Sequence, residues 1–529
     1  MDRRDFVLAA TAAVTSTTIN STAAAAAQTH PGVLPRPPAE LTELATAMAD
    51  GTSSAVALTQ TYLARIAALD RLGPALNAVL ETNPQALEIA AALDAERRAQ
   101  GPRGPLHGIP ILIKDNVETR DRMMTTAGSL ALEGWYAPED APLIVRLRAA
   151  GAVILGKTNL SEWANFRSTH SASGWSGRGG QTHNPHALNR SPSGSSSGSA
   201  VAVAADLCAI AVGTETDGSI VSPASINGIV GIKPTVGLVS RRGIVPISHS
   251  QDTAGPLARS VRDAAILLGV LSGPDPADPA SAAVAKFETD YTRYLNVDGL
   301  RGVRLGIARK FFAENAPLDA FLDRCVQQLK DAGAIIVDPA DLPQHGAWSD
   351  PEGQVLLYEF KADLNAYLAR LPATFPVRNL DDLIRFNVAH AARELPYFDQ
   401  ELLRESAAKG GLAEAAYLTA RTACLTATRT NGIDAVLAEH HLDALVSLTA
   451  GPAWLTDHVN GDGDSGGCSS PAAVAGYPHV TVPAGEYKGL PIGLSFFGTA
   501  FSESVLIRLA SGYEHVVGPR IVPRFAPSV

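Results

Sequence analysis

The sequence predicts an α/β protein. Short apolar runs alternate with helical stretches along the chain, the pattern of strands interleaved with helices. Its 46 glycines and 35 prolines punctuate it too often for long helical bundles, and 529 residues at 46% hydrophobic content can bury a large core. The formal net charge of −10 argues against a nucleic-acid partner, which would call for a basic face.

The N-terminus reads as a targeting segment. Arg3-Arg4-Asp5-Phe6-Val7 matches the twin-arginine export pattern, and a mild Ala/Thr/Val stretch leads to the small residues Ala23 to Ala27. Residues 1–27 are the expected signal peptide, cleaved near Ala25 to Ala27, with twin-arginine machinery as the precursor's partner and a periplasmic or secreted destination. Cleavage removes two aspartates and two arginines, so the net charge stays −10. The segment is too short and too rich in Ser and Thr to span a bilayer, which takes about 20 mostly apolar residues.

Residues 28–38 form a Pro-rich arm, and 39–529 read as a single domain. From Ala39 to Asp70 the spacing of Leu41, Leu44, Met48, Leu58, Tyr62 and Ile66 predicts two helices broken near Gly51. Leu106 to Pro110 is a turn into the strand Ile111–Ile113, and Ala152–Leu155 is a second buried strand. Ser199 to Ala209 predicts a helix apolar on nearly all sides, hence central. Ser272 to Ala280 is a linker-like surface excursion. Residues 301–340 repeat strand, helix and strand, 353–436 are mostly helical, and strand character returns at Leu442–Ser447 and Tyr477–Leu494.

Gly151 to Thr158 matches the P-loop expression letter for letter. A phosphate cradle needs a strand before the first glycine and a helix starting at the lysine, whereas here the interior of the motif is itself a strand. Nucleotide binding through it is the other-class alternative. Gly194-Ser195-Ser196-Ser197-Gly198 matches a nucleophile elbow, yet a polar loop precedes it where an elbow needs a strand. The histidines have no metal-ligand spacing; His440 and His441 read as surface residues and His107 as a turn residue. No metal and no cofactor are expected. Cys208, Cys325, Cys424 and Cys468 form no CxxC pair, and Cys208 reads as a small buried hydrophobe.

Lys114 stands out because an apolar strand delivers its ammonium. Desolvation lowers a lysine's pKa toward values at which it can act as a base. An ordinary salt bridge to Asp115 or Glu118 is the competing reading.

With Lys114, the serine cluster at Ser193–Gly198 and the Gly218-Ser219 turn together, the chain resembles the amidase signature family over about residues 60–515. The core of the likeness lies in residues 190–256, with support from Gly476-Tyr-Pro478, Val482-Pro-Ala-Gly485 and Gly489-Leu-Pro-Ile-Gly493. The resemblance implies a large mixed β-sheet core flanked by helices and a Ser–Ser–Lys triad. Ser219 would be the nucleophile, Ser195 the bridging serine on a cis peptide bond, and Lys114 the base. Backbone N–H groups of Thr216, Asp217, Gly218 and Ser219 would form the oxyanion hole.

Glu215, Asp217 and Val221 depart from the usual family residues Asp, Gly and Arg. Those departures, with Asn159–Asn165 and Gly174–Gln181, resemble the peptide amidase branch. The implied reaction is deamidation of C-terminal peptide amides to a free carboxylate and ammonia, with Asn165 on the substrate-contact segment. A helix-surface or capping role for Asn165 is the plain alternative. The expected partner is a small-molecule or short peptide amide, and a broad aliphatic or aryl amidase is the runner-up. A subunit that transamidates charged tRNA fits neither the export signal nor the acidic balance.

Overall fold

One mixed sheet of eleven strands organises the molecule. The computed structural model describes residues 40–529 apart from 283, 313 and 465; the expected signal segment 1–27 and Pro-rich arm 28–38 lie outside the described residues. The strands in chain order begin with β1 (Val79–Thr82), β2 (Pro110–Lys114) and β3 (Val153–Thr158). A two-stranded ribbon, β4 (Trp175–Ser176) and β5 (Gly180–Gln181), stands apart from the main sheet. Then come β6 (Ile210–Glu215), β7 (Val230–Lys233) and β8 (Thr253–Ala258). The last five are β9 (Arg304–Ile307), β10 (Ile335–Val337), β11 (Ala444–Leu448), β12 (His479–Tyr487) and β13 (Leu490–Phe497).

Their spatial order is β1-β3-β2-β6-β8-β7-β12-β13-β11-β9-β10. Two parallel sets, β3-β2-β6 and β11-β9-β10, are joined through antiparallel strands. β2 and β6 are buried along their whole length, as near-continuous apolar strands covered on both faces must be. Because they run in parallel with Ile113 opposite Val212, their C-terminal ends meet at one edge. Open α/β sheets place their sites at such an edge.

The helices follow the expected periodicity at most places. The two N-terminal helices are Leu41–Ala49 and Ala55–Arg65, the second capped by the Ser54 side chain accepting from Ala57 N–H. The central helix is shorter than its apolar run predicts. It spans Ser197–Ala204 rather than reaching Ala209, because the chain turns through a left-handed Asp206 (φ 56°) to enter β6. Every residue of that helix is buried. Its small side chains let it press on neighbouring backbone: a Cβ on Gly198 would lie 2.2 Å from the Ala78 carbonyl and 2.5 Å from that of Asn159.

The linker-like stretch is pinned to the body. Asp275 and Asp278 within it are buried and pair with Arg242 and Arg241. All four cysteines are buried and unpaired. Among the described residues no helix is long and apolar enough to cross a membrane.

Candidate active site

β2 ends on Lys114, and its side chain turns into a nest of hydroxyls. The Nζ lies 2.8 Å from Ser195 Oγ, 2.8 Å from Thr214 Oγ1, 3.1 Å from Ser196 Oγ and 3.2 Å from the Thr214 carbonyl. The side chain is fully buried, and no carboxylate among the described residues forms an ion pair with it. The two candidate salt-bridge partners are engaged elsewhere. Asp115 faces Arg178 and accepts from Thr126, while Glu118 pairs with Arg370 at 3.1 Å. Burial pushes the Lys114 ammonium down to about 7, against the weaker pull of Glu215 and Asp252.

The three serines of the cluster separate by their partners. The Gly194–Ser195 peptide is cis. Ser195 Oγ sits against Lys114, whereas Ser196 Oγ is tied to the β6 backbone, donating to the Thr214 carbonyl at 3.0 Å and accepting from Thr214 N–H at 3.2 Å. Ser197 donates to the Ser193 carbonyl. Backbone joins the cluster to the second turn: Ser196 N–H donates to the Ser219 carbonyl at 3.1 Å. Lys114, Ser195 and Ser219, 105 positions apart from first to last, are thus gathered by β2, β6 and one main-chain bond.

The turn Thr216–Ser219 leaves the end of β6 and leads to the short helix Val221–Ile226. Glu215 closes it from below, its Oε2 accepting from Ile220 N–H at 2.7 Å and Val221 N–H at 3.0 Å. Glu215 is thus a carboxylate at the start of a helix, where unpaired N–H groups need an acceptor. Gly218 adopts a left-handed φ of 76°, and a Cβ there would lie 3.0 Å from Ser469 Oγ. Its lack of a side chain keeps Ser469 close.

Asn165 lies on a 3-10 turn, Glu162–Asn165, and three successive non-glycine residues of this segment are left-handed: Trp163 (φ 52°), Ala164 (φ 53°) and Asn165 (φ 75°). Such a conformation costs about 1–2 kcal/mol per residue. Its surroundings hold it there. Trp163 is buried, and Arg167 on the far side donates to Glu162 at 2.6 Å and lies 3.8 Å from Glu394. The Arg167 guanidinium also sits over the Trp175 and Phe398 rings. Asn165 Oδ1 accepts from Ser171 Oγ at 2.8 Å, so this residue is neither a helix cap nor on a right-handed helix surface.

The P-loop look-alike forms no phosphate cradle. Residues 153–158 are β3 itself, and buried Lys157 donates to the Val117 carbonyl at 2.8 Å and Thr125 Oγ1 at 2.9 Å. His107 occupies a turn, as expected, but is buried with Nε2 against the Leu93 carbonyl.

Four residues beside the turn were not singled out from the sequence: Gln251, Asp252, Glu352 and Ser469. Thr216 Oγ1 donates to Asp252 at 2.6 Å, and Gln251 Nε2 lies 3.3 Å from the Thr216 carbonyl and 2.8 Å from Glu352 Oε1. A signal was available for Ser469 in the Gly-Gly-Cys-Ser-Ser run at 466–470, a second serine cluster before a helix.

Comparison with known proteins agrees with this architecture. Residues 57–507 match the family model described as Amidase. A probable amidase of Arabidopsis thaliana is 43% identical over 468 residues, covering 87% of this chain and 86% of its own. The native peptide amidase of Stenotrophomonas maltophilia superposes with a TM-score of 0.88 at 54% identity, covering 92% of this chain and 98% of that one. A peptide amidase bound to the competitive inhibitor chymostatin gives 0.89 at 54% identity, covering 92% and 99%. With the mixed sheet and most of its length accounted for, this chain belongs to the amidase signature family and is a hydrolase of amide carbon–nitrogen bonds.

Proposed function

We propose that this enzyme removes the amide from the C-terminus of peptides, through a Ser219–Ser195–Lys114 triad. The observation that carries the mechanism is the buried Lys114 amine, without an ion-paired carboxylate among the described residues, 2.8 Å from Ser195 Oγ. A lysine desolvated to about 7 is neutral in an appreciable fraction near neutral pH. Neutral Lys114 takes the Ser195 hydroxyl proton as Ser195 takes that of Ser219, and Ser219 Oγ bonds to the amide carbonyl carbon. The carbonyl π electrons move to oxygen, where the N–H groups of residues 216–219 receive them; one such donor is worth about 3 kcal/mol. The proton returns along the relay to the amide nitrogen, the C–N bond breaks and ammonia leaves. Water then attacks the acyl-enzyme by the same relay, releasing the carboxylate and restoring Ser219.

The peptide-amide substrate is supported by the 54% identity to two peptide amidase structures, one holding chymostatin. Asn165, presented on its left-handed turn, is the proposed substrate contact. Export is proposed on the Arg3-Arg4 pattern, which suits a substrate outside the cytoplasm. Ammonia release from a peptide amide, a free amino-acid amide and a simple aliphatic amide tests the substrate class. The peptide amide should give the highest kcat/KM; equal or better turnover of the aliphatic amide overturns the peptide reading in favour of a broad amidase.

A further inference from the structure

We propose that Glu352 is a positioning residue for the oxyanion loop: through Gln251 and Asp217 it latches Thr216–Ser219 in place, an inference that rests on the triad mechanism above. The latch has two arms. In the first, Gln251 Nε2 bridges the Thr216 carbonyl (3.3 Å) and Glu352 Oε1 (2.8 Å), and Gln251 is buried between them. In the second, the buried Asp217 carboxyl lies beside that of Glu352 and beside the Ser469 and Ser470 hydroxyls, and its Oδ1 has no hydrogen-bond partner among the described residues.

Glu352 has the footing such a role requires. It lies on the helix Ser349–Leu368, and Glu359 falls seven residues on, two turns along the same face. Glu359 is fully buried and grips the segment that carries Gln251. It accepts from Ser248 Oγ (2.5 Å), Ser250 N–H (3.0 Å), Ser250 Oγ (2.5 Å) and Tyr417 OH (2.6 Å). Asp252 on that segment accepts from Thr216 Oγ1 at 2.6 Å and from the N–H groups of Ile247 and Ser248. The helix therefore reaches the oxyanion loop from both its Thr216 and its Asp217 side.

Two adjacent buried carboxyls can hydrogen-bond to one another only with a proton between them. Burial raises both acids, and their mutual repulsion opposes double ionisation. The groups around them are Lys233 of β7, which favours the charged Asp217, Glu215 at the end of β6, and the buried thiols Cys468 and Cys424. As pH rises and the shared proton leaves, two adjacent carboxylates repel and the latch opens. Glutamine at 352 reproduces the protonated state: its carbonyl accepts from Gln251 and its amide donates to Asp217 at any pH.

The test measures kcat and KM for a peptide amide across the pH range, with thermal midpoints, for wild type, E352Q, E352A and Ser219→Ala. Loss of the latch in E352A should lower kcat by about 10- to 100-fold, with KM changed by no more than about threefold, since the donors act on the transition state. E352Q should keep kcat within about fivefold of wild type and lose its alkaline decline, while the acidic limb set by Lys114 stays. Wild-type kcat in E352A, or an alkaline decline unchanged in E352Q, overturns the inference. Should E352A fail to fold, the E352Q profile decides alone. Persistent turnover in Ser219→Ala would overturn the triad mechanism itself; an inactive Ser219→Ala beside wild-type-like Glu352 variants would overturn only the latch.

Discussion

Lys114 ends β2 and Lys157 is the last residue but one of the neighbouring parallel β3, Lys114 opposite Thr158 and Lys157 opposite Ile113, and both are fully buried. Burial lowers the pKa of each. They differ in what they face. Lys157 meets a backbone carbonyl and a single threonine hydroxyl, with the carboxylates of Asp115, Asp121 and Glu81 favouring its charged form. Lys114 meets the hydroxyls of Ser195, Ser196 and Thr214, with Glu215 and Asp252 favouring its charged form against burial. Burial alone does not make a base. Lys157 is held as an ammonium against Val117 and Thr125 by three nearby carboxylates, whereas Lys114 faces Ser195, the proposed relay, so the proton exchange is proposed for Lys114 alone.

Breaking that contrast should be easiest at Lys114 and Ser219. Lys114→Met and Ser219→Ala should each lower kcat by about 10⁴-fold or more. Lys114→Met should leave the thermal midpoint unchanged or raise it, because an apolar chain replaces a desolvated amine. A Lys114→Met enzyme retaining a tenth of wild-type activity would put the base elsewhere.

Next in size is the pair of adjacent serines. Ser195→Ala should cost about 10³-fold in kcat. Ser196→Ala should cost only a few-fold in rate and about 1 kcal/mol in stability, from the bonds it makes to Thr214. The reverse ranking would move the relay by one residue. For Lys157→Met the expected loss is in stability: about 1–3 kcal/mol by denaturant unfolding, with kcat of the folded enzyme retained. Loss of kcat at an unchanged midpoint would erase the distinction between the two lysines.

The gentlest probe is pH. The proposed base must be neutral, so activity should rise as pH climbs through about 7 and fall, roughly tenfold per unit, below it. Replacing Lys157 should not move that limb.

Much of this was legible in the sequence because the signals were local. Apolar runs marked β2, β3 and β11, and the strand–helix–strand rhythm of 301–340 appears as β9, the helix Ala316–Asp331 and β10. Lys114, Ser195 and Ser219 could be singled out because strand, glycine and serine patterns flank them. Gln251 and Glu352 could not. They lie 101 positions apart, and Glu352 resembles any acid in the first turn of a helix until the fold buries it. The left-handed turn at 163–165 was equally hidden, since neither Trp nor Ala advertises a positive φ. The helix from Ser199 was drawn too long because its apolar run continues into β6 without a break in composition.

That turn has a consequence for redesign. A left-handed stretch built from side-chain-bearing residues is held wound by the enclosed Trp163, its backbone N–H bonded to the Ala127 carbonyl, by Arg167 binding Glu162 and by Ser171 bonding Asn165. Its geometry is stored in the supports more than in its own letters. Transplanting Trp163–Asn165 alone into a relative would carry the residues without the shape. Randomising Asn165 while sparing Glu162, Arg167 and Glu394 keeps the platform and varies only what it displays. Libraries aimed at new amide substrates should be drawn along that line.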